Sequence, residues 1–99
     1  MAETTVLSGA AIFDGTRLVE GHALVLTDDR VRGIVPLGEA PGGARIDLGG
    51  GILGPGFVDL QVNGGGGEML CGRSGIAGIA RILAAHRALG TTAMLPTLI

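Results

Sequence analysis

Residues 55–67 read Pro55-Gly56-Phe57-Val58-Asp59-Leu60-Gln61-Val62-Asn63-Gly64-Gly65-Gly66-Gly67, a short strand running into a glycine loop. Side chains alternate along a strand, so Val58, Leu60 and Val62 share one face and Phe57, Asp59, Gln61 and Asn63 the other. The first face is aliphatic, and the second turns polar toward its C-terminal end. A polar strand end followed by a loop without side chains suits the border of a site. In parallel α/β architectures, sites lie at the C-terminal ends of strands.

Downstream, Ser74 is placed to cap a helix. Ile76, Ile79, Ala80 and Leu83 recur at helical spacing, with Ile82 and Leu89 flanking that stripe. Gly90 stands where a helix-ending glycine belongs, with Arg87 in the last turn, where a cation is favoured. A second apolar strand runs from Thr91 to Ile99. Strand, helix and strand at this spacing predict one β-α-β unit, and hence a parallel sheet. Pro96 removes one ladder hydrogen bond from the second strand.

Upstream, residues 4–13 read as a strand closed by the Asp14-Gly15 turn, followed by short strands over 17–20 and 23–27. Asp28-Asp29 turns the chain into a strand over 31–35, Pro36 ends it, and residues 37–44 form a Gly/Pro loop before a last short strand over 45–48. The pattern predicts an antiparallel meander. Gly49-Gly50-Gly51-Ile52-Leu53-Gly54 satisfies G-x-G-x-x-G formally. The dinucleotide fingerprint follows a strand and opens a helix, whereas these glycines lead into Pro55 and a strand. They read as a flexible hinge between two domains.

The stretch over 55–63 resembles the first barrel strand of the metal-dependent amidohydrolases, whose signature is Pro-Gly-Phe-[Ile/Val]-Asp followed by His-x-His. Here Gln61 and Asn63 occupy the two histidine positions. That replacement, with the glycine loop behind it, is similar to one branch, the N-acetylglucosamine-6-phosphate deacetylases. Gly90-Thr91-Thr92-Ala93-Met94-Leu95-Pro96-Thr97-Leu98-Ile99 resembles that branch's second barrel strand.

The resemblance implies an α/β protein with a β-rich N-terminal part. Residues 1–53 would supply strands of a small β-sandwich domain, and residues 54–99 the first β-α-β unit of a (β/α)8 TIM-type barrel, left incomplete. It also implies a hydrolase that removes acetate from N-acetylglucosamine 6-phosphate in amino-sugar catabolism, using a divalent metal, zinc or iron. The metal ligands and acid/base residues of the family fall outside these positions, so the chain alone is expected to be inactive. Its partners would be the small-molecule amino-sugar phosphate and the remainder of the enzyme or a partner chain, with a homodimer as the family's common assembly.

Gln61 and Asn63 stand two apart on one strand face, a spacing that lets both converge on one ion or ligand. Carboxamide oxygens bind zinc or iron weakly compared with imidazole, so the pair does not replace two histidines as metal ligands. With Gly64 and Gly65 they are the expected lining of the metal pocket or substrate site. The alternative is a pair of polar residues capping a strand end. Asp59, deeper on that face, reads as a paired structural acid, Glu68 as solvated, His86 as packed or exposed, His22 as a surface histidine, and Cys71 as an inert thiol.

Composition bounds the remaining classes. The chain has 99 residues, 46% of them hydrophobic, with 20 glycines and two phenylalanines as its aromatics. Glycine buries no side chain and loses the most backbone entropy on folding, so this composition suits part of a larger core. A net charge of −2 with scattered arginines gives no footprint for nucleic acid. The longest uncharged apolar run, residues 88–99, is broken by Gly90 and Pro96, which argues against a membrane span. Glu3 without a basic leader argues against a signal peptide, and the lone Cys71 suits a reducing cytoplasm. Two other functions fit the composition: a non-catalytic short module pairing with a partner chain, and an amidohydrolase acting on a cyclic amide. Gln61 and Asn63 oppose the latter, whose members usually retain His-x-His.

Overall fold

The structure is a computed structural model describing residues 2–99, and it divides into two compact units, one ending at Pro55 and the other spanning Gly56–Ile99. The first unit carries β1 (Thr4–Ser8), β2 (Ala11–Phe13), β3 (Leu18–Val19), β4 (His22–Thr27), β5 (Arg30–Pro36), a 3-10 turn at Leu37–Glu39, β6 (Ala44–Asp47) and β7 (Ile52–Leu53). They form two sheets, ordered β5-β4-β1-β6 and β3-β2-β7.

The predicted meander is corrected here. β1–β4, β4–β5 and β2–β3 are antiparallel, but β1–β6 and β2–β7 are parallel. The strand predicted over 4–13 is two strands, because Gly9 turns at φ +82° and carries the chain from one sheet to the other. The hinge predicted at 49–54 runs alongside that bend instead. Gly50 N–H donates to the Gly9 carbonyl (2.6 Å), Ala11 N–H donates to that of Gly51 (3.1 Å), and Ile52–Leu53 is paired strand. Periodicity reports which face a residue occupies and carries nothing about its partner strand, so both parallel pairings were invisible in it.

Between β4 and β5, Asp28 adopts φ +52° while its Oδ1 accepts the Glu3 N–H at 2.9 Å, which compensates for the left-handed backbone. Val6 and Ala23 are fully enclosed and Ile12 and Val25 nearly so. An apolar cavity of about 280 Å³ separates the two sheets, lined by Ile12, Phe13, Leu24, Val31, Ile34 and Leu53.

The second unit comprises β8 (Phe57–Val62), β9 (Gly64–Gly65), β10 (Glu68–Met69), α1 (Gly75–Arg87) and β11 (Thr91–Pro96). β8 and β11 pair in parallel with α1 between them in sequence, as expected. The register slips between Met94 and Pro96, where the proline cannot donate. Val62, Leu70 and Ile82 form the core, with Ile79 and Met94 packed against it.

Two expectations about this unit need correction. The buried stripe of α1 is Gly78 and Ile82, whereas Ile76 is 89% exposed, so the helix is rotated from the face its larger aliphatics suggest. Ser74 is the N-cap residue and its carbonyl accepts the Gly78 N–H at 2.9 Å, but its side chain makes no capping hydrogen bond; its Oγ accepts the Cys71 N–H at 2.9 Å and so closes the loop before the helix. On β8 only Val62 of the aliphatic face is buried, while Val58 and Leu60 remain exposed. At the other end of the helix, Gly90 takes φ +108° and its carbonyl accepts Phe57 N–H at 2.9 Å, tying the start of β11 to β8. Among the described residues no helix is long and apolar enough to cross a membrane.

Candidate functional site

The C-terminal end of β8 is built by local hydrogen bonds. The Asp59 carboxylate accepts the Gln61 N–H at 3.1 Å, and Asp59 has no ion-pair partner among the described residues. One step on, Asn63 is half-buried and its Nδ2 donates to the Thr97 carbonyl at 3.0 Å. Thr97 N–H in turn donates to the Val62 carbonyl at 2.8 Å, so the two strand ends are laced where the ladder has slipped. The Asn63 carbonyl accepts Leu70 N–H at 2.8 Å, which closes the β9–β10 hairpin back onto β8.

Gly64 and Gly65 pair with Met69 and Glu68 across that hairpin, while Gly66 and Gly67 turn it at φ +61° and +80°. The result is an open cleft of about 370 Å³ lined by Asn63, Gly64, Gly65, Gly67, Glu68 and Met69. Three of the four expected site residues thus lie together. Gln61 is exposed and does not line this cleft.

Two residues read as bystanders join the site's surroundings. His86, half-buried on α1, donates its Nε2–H to the Gly64 carbonyl at 2.9 Å. Glu68 is half-buried rather than freely solvated: its Oε1 meets Arg81 Nη2 at 2.8 Å, and its Oε2 is buried without a partner against Gly78. The signal was faint but present, since Gly78, Arg81, Ile82, Ala85 and His86 recur at the 3, 4, 7, 8 spacing of one helix face. A face with a single large aliphatic among glycine, alanine and polar side chains does not register as apolar periodicity.

No group of three or more histidine, cysteine, aspartate or glutamate residues capable of holding a metal occurs among the described residues. Asn63 spends its amide on Thr97, so the strand end offers at most carboxamide oxygens. These residues do not fit as a zinc or iron ligand set.

Cys71 is exposed, and its thiol is pulled below the usual cysteine range, first by the Arg73 backbone N–H and next by the Ser74 hydroxyl 3.7 Å away. The thiolate is the nucleophile. A depressed value therefore means that alkylation by iodoacetamide reaches half its maximal rate at a lower pH than a free cysteine does. Ser74→Ala should move that midpoint upward; a wild-type midpoint at or above the free-thiol value contradicts the assignment.

No family model matches the chain. It is 36% identical over 97 residues to the N-acetylgalactosamine-6-phosphate deacetylase of Shewanella sp. (strain ANA-3), covering 95% of this chain and 25% of that protein. Against the N-acetylglucosamine-6-phosphate deacetylase of Haemophilus influenzae it is 29% identical over 94 residues, or 94% of this chain and 25% of that enzyme. The crystal structure of N-acetylglucosamine-6-phosphate deacetylase from Pasteurella multocida superposes with a TM-score of 0.88 at 32% identity, over 96% of this chain and 25% of that one. The chain therefore spans about a quarter of the length of the curated relatives it matches.

Sequence and fold together make the chain similar to the amino-sugar-phosphate deacetylases, over the N-terminal part of those enzymes. Within that class it is similar to the N-terminal quarter of N-acetylglucosamine-6-phosphate deacetylase.

Proposed function

We propose that the chain is the N-terminal part of an enzyme that hydrolyses the N-acetyl group of N-acetylglucosamine 6-phosphate. Water adds to the acetyl carbonyl, the amide C–N bond breaks, acetate departs, and the amine of the sugar takes the proton. On this reading residues 1–53 contribute to a small β-sandwich domain. Residues 54–99 open a (β/α)8 barrel, with Asn63, Gly64 and Gly65 lining its pocket and Gln61 beside it.

The observation that carries the reading is the parallel β8–α1–β11 unit, with Gln61-Val62-Asn63 at its C-terminal strand end, on a fold shared with the deacetylases. Exposed apolar side chains support it: Val58, Leu60 and Leu95 stand 65%, 70% and 56% exposed, as expected of strands that pair and pack with further barrel elements. The divalent metal of the proposed reaction finds no ligand set among the described residues, so on this reading its ligands belong to later strands. Dimerisation and a cytoplasmic location are part of the same proposal. A second substrate, N-acetylgalactosamine 6-phosphate, is favoured by the identity to the Shewanella enzyme.

The test is acetate release from both sugar phosphates by the longest natural chain carrying residues 1–99, purified and saturated with zinc or ferrous iron. Faster release from the gluco substrate supports the proposal, and faster release from the galacto substrate selects the second. No release from either removes the deacetylase reading. The isolated 99-residue chain is expected to release none.

A further inference from the structure

We infer that His86 is a positioning residue, whose hydrogen bond to the Gly64 carbonyl fixes the glycine segment lining the strand-end cleft. The inference deepens the deacetylase reading and, for its catalytic consequence, rests on it.

The cleft's wall has little to hold its shape. Gly64, Gly65, Gly66 and Gly67 follow one another without a side chain to pack, and glycine has the widest backbone freedom of any residue. Within a two-stranded ribbon this short, the ladder hydrogen bonds alone are a weak restraint. The helix supplies what the ribbon lacks. His86 Nε2–H donates to the Gly64 carbonyl at 2.9 Å on the β9 side, and Arg81 Nη2 meets Glu68 Oε1 at 2.8 Å on the β10 side. Gly78, about one turn before Arg81 and with no side chain, lets Glu68 lie against the helix there.

A carbonyl accepts, so the imidazole must carry its proton on Nε2, which holds for the neutral Nε2–H form and for the doubly protonated ring alike. The Gly64 carbonyl and the Gly65 N–H belong to one planar peptide, so orienting the first orients the second. Asn63, immediately before, has its carbonyl on Leu70 N–H and its amide on Thr97. With His86 in place, successive groups from Asn63 to Gly65 are tied to three separate elements. Contact is already close: a Cβ on Gly65 would lie 2.9 Å from Nε2. His86 holds the wall and touches no reacting atom.

The experiment compares His86→Ala, His86→Gln and His86→Asn in the longest natural chain carrying residues 1–99. Glutamine places an amide nitrogen near the position of Nε2; asparagine's is too short to reach. Hydrogen exchange of the peptide covering residues 62–70 is the first measurement. His86→Ala should exchange about fivefold faster there, the ratio that one ordinary hydrogen bond sets, while His86→Gln stays near wild type and His86→Asn follows alanine. Unchanged protection over residues 91–96, the strand β11 of the same unit, in all variants establishes that the fold is retained. If that control fails for alanine, the glutamine–asparagine contrast decides.

The second measurement is acetate release, where kcat/KM should fall about tenfold in the alanine and asparagine variants and recover to within about twofold with glutamine. Equal exchange in wild type and His86→Ala overturns the inference, as does equal behaviour of glutamine and asparagine. A wild type that releases no acetate removes the deacetylase reading and leaves the exchange comparison to decide the role of His86.

Discussion

Gly64→Ala in the longest natural chain carrying residues 1–99 is expected to open the β9–β10 hairpin and, on the proposed deacetylase reading, to reduce acetate release about a hundredfold. A Cβ on Gly64 would stand 2.5 Å from the Glu68 carbonyl oxygen and 3.1 Å from the Met69 Cα. Both neighbours are backbone, so no rotamer change relieves the contact; the paired strand itself must move. Gly64 is not among the glycines with positive φ, which makes the penalty steric rather than conformational. Moving β10 away also strips the carbonyl from His86 and displaces Asn63 next door. A shift of about 1 Å at a reacting centre is enough for about a hundredfold loss.

Gly67→Ala is the informative comparison. A Cβ there meets no atom within 4 Å, but the residue sits at φ +80°, so its cost is only the left-handed strain of about 1–2 kcal/mol. Acetate-release kinetics and exchange over residues 62–70 read both variants. Wild-type values for Gly64→Ala would mean that the hairpin does not shape the site.

Ile82→Ala is expected to cost about 2–5 kcal/mol, the range for truncating a fully enclosed aliphatic side chain. Ile82 is completely buried and packs with Val62 and Leu70, the other buried members of that core. Ile79 and Met94 reach the same cluster only partly buried, so a cavity left by Ile82 has few large neighbours able to fill it. Ile82→Val, which removes one methyl group, should cost about 0.5–1.5 kcal/mol. Urea unfolding of the longest natural chain, with unchanged slope, measures both. A loss below about 0.5 kcal/mol for the alanine variant would show that the cluster bears little of the unit's stability.

These two substitutions bear on opposite sides of what could be read from residues alone. Gly64 was singled out by position, because it follows Asn63 at the end of a strand with one polar face. The alternation of residues 57–63 locates that end without any coordinates. Ile82, by contrast, falls on the flank of the helical stripe, yet it is fully enclosed. Hydrophobicity ranks side chains by size and places Ile76 on the buried face. The structure instead buries the face where Gly78 permits the hairpin to approach.

The same distinction runs through the first unit. Strand positions and turns were legible because Asp14-Gly15 and Asp28-Asp29 punctuate alternating runs. The parallel partnership of β1 with β6 and of β2 with β7 was not legible. It joins segments about forty residues apart through a bend at Gly9 and the glycines at 49–51.

By itself the sequence determined the order of elements, the β-α-β unit and the polar end of β8. Local spacing and turn chemistry decide these before any contact forms. Only the tertiary structure decided which face of α1 is buried, which strands pair in parallel, and that His86 and Arg81 grip the hairpin. Those depend on contacts between distant residues, and a glycine that makes room leaves no mark in a hydropathy pattern.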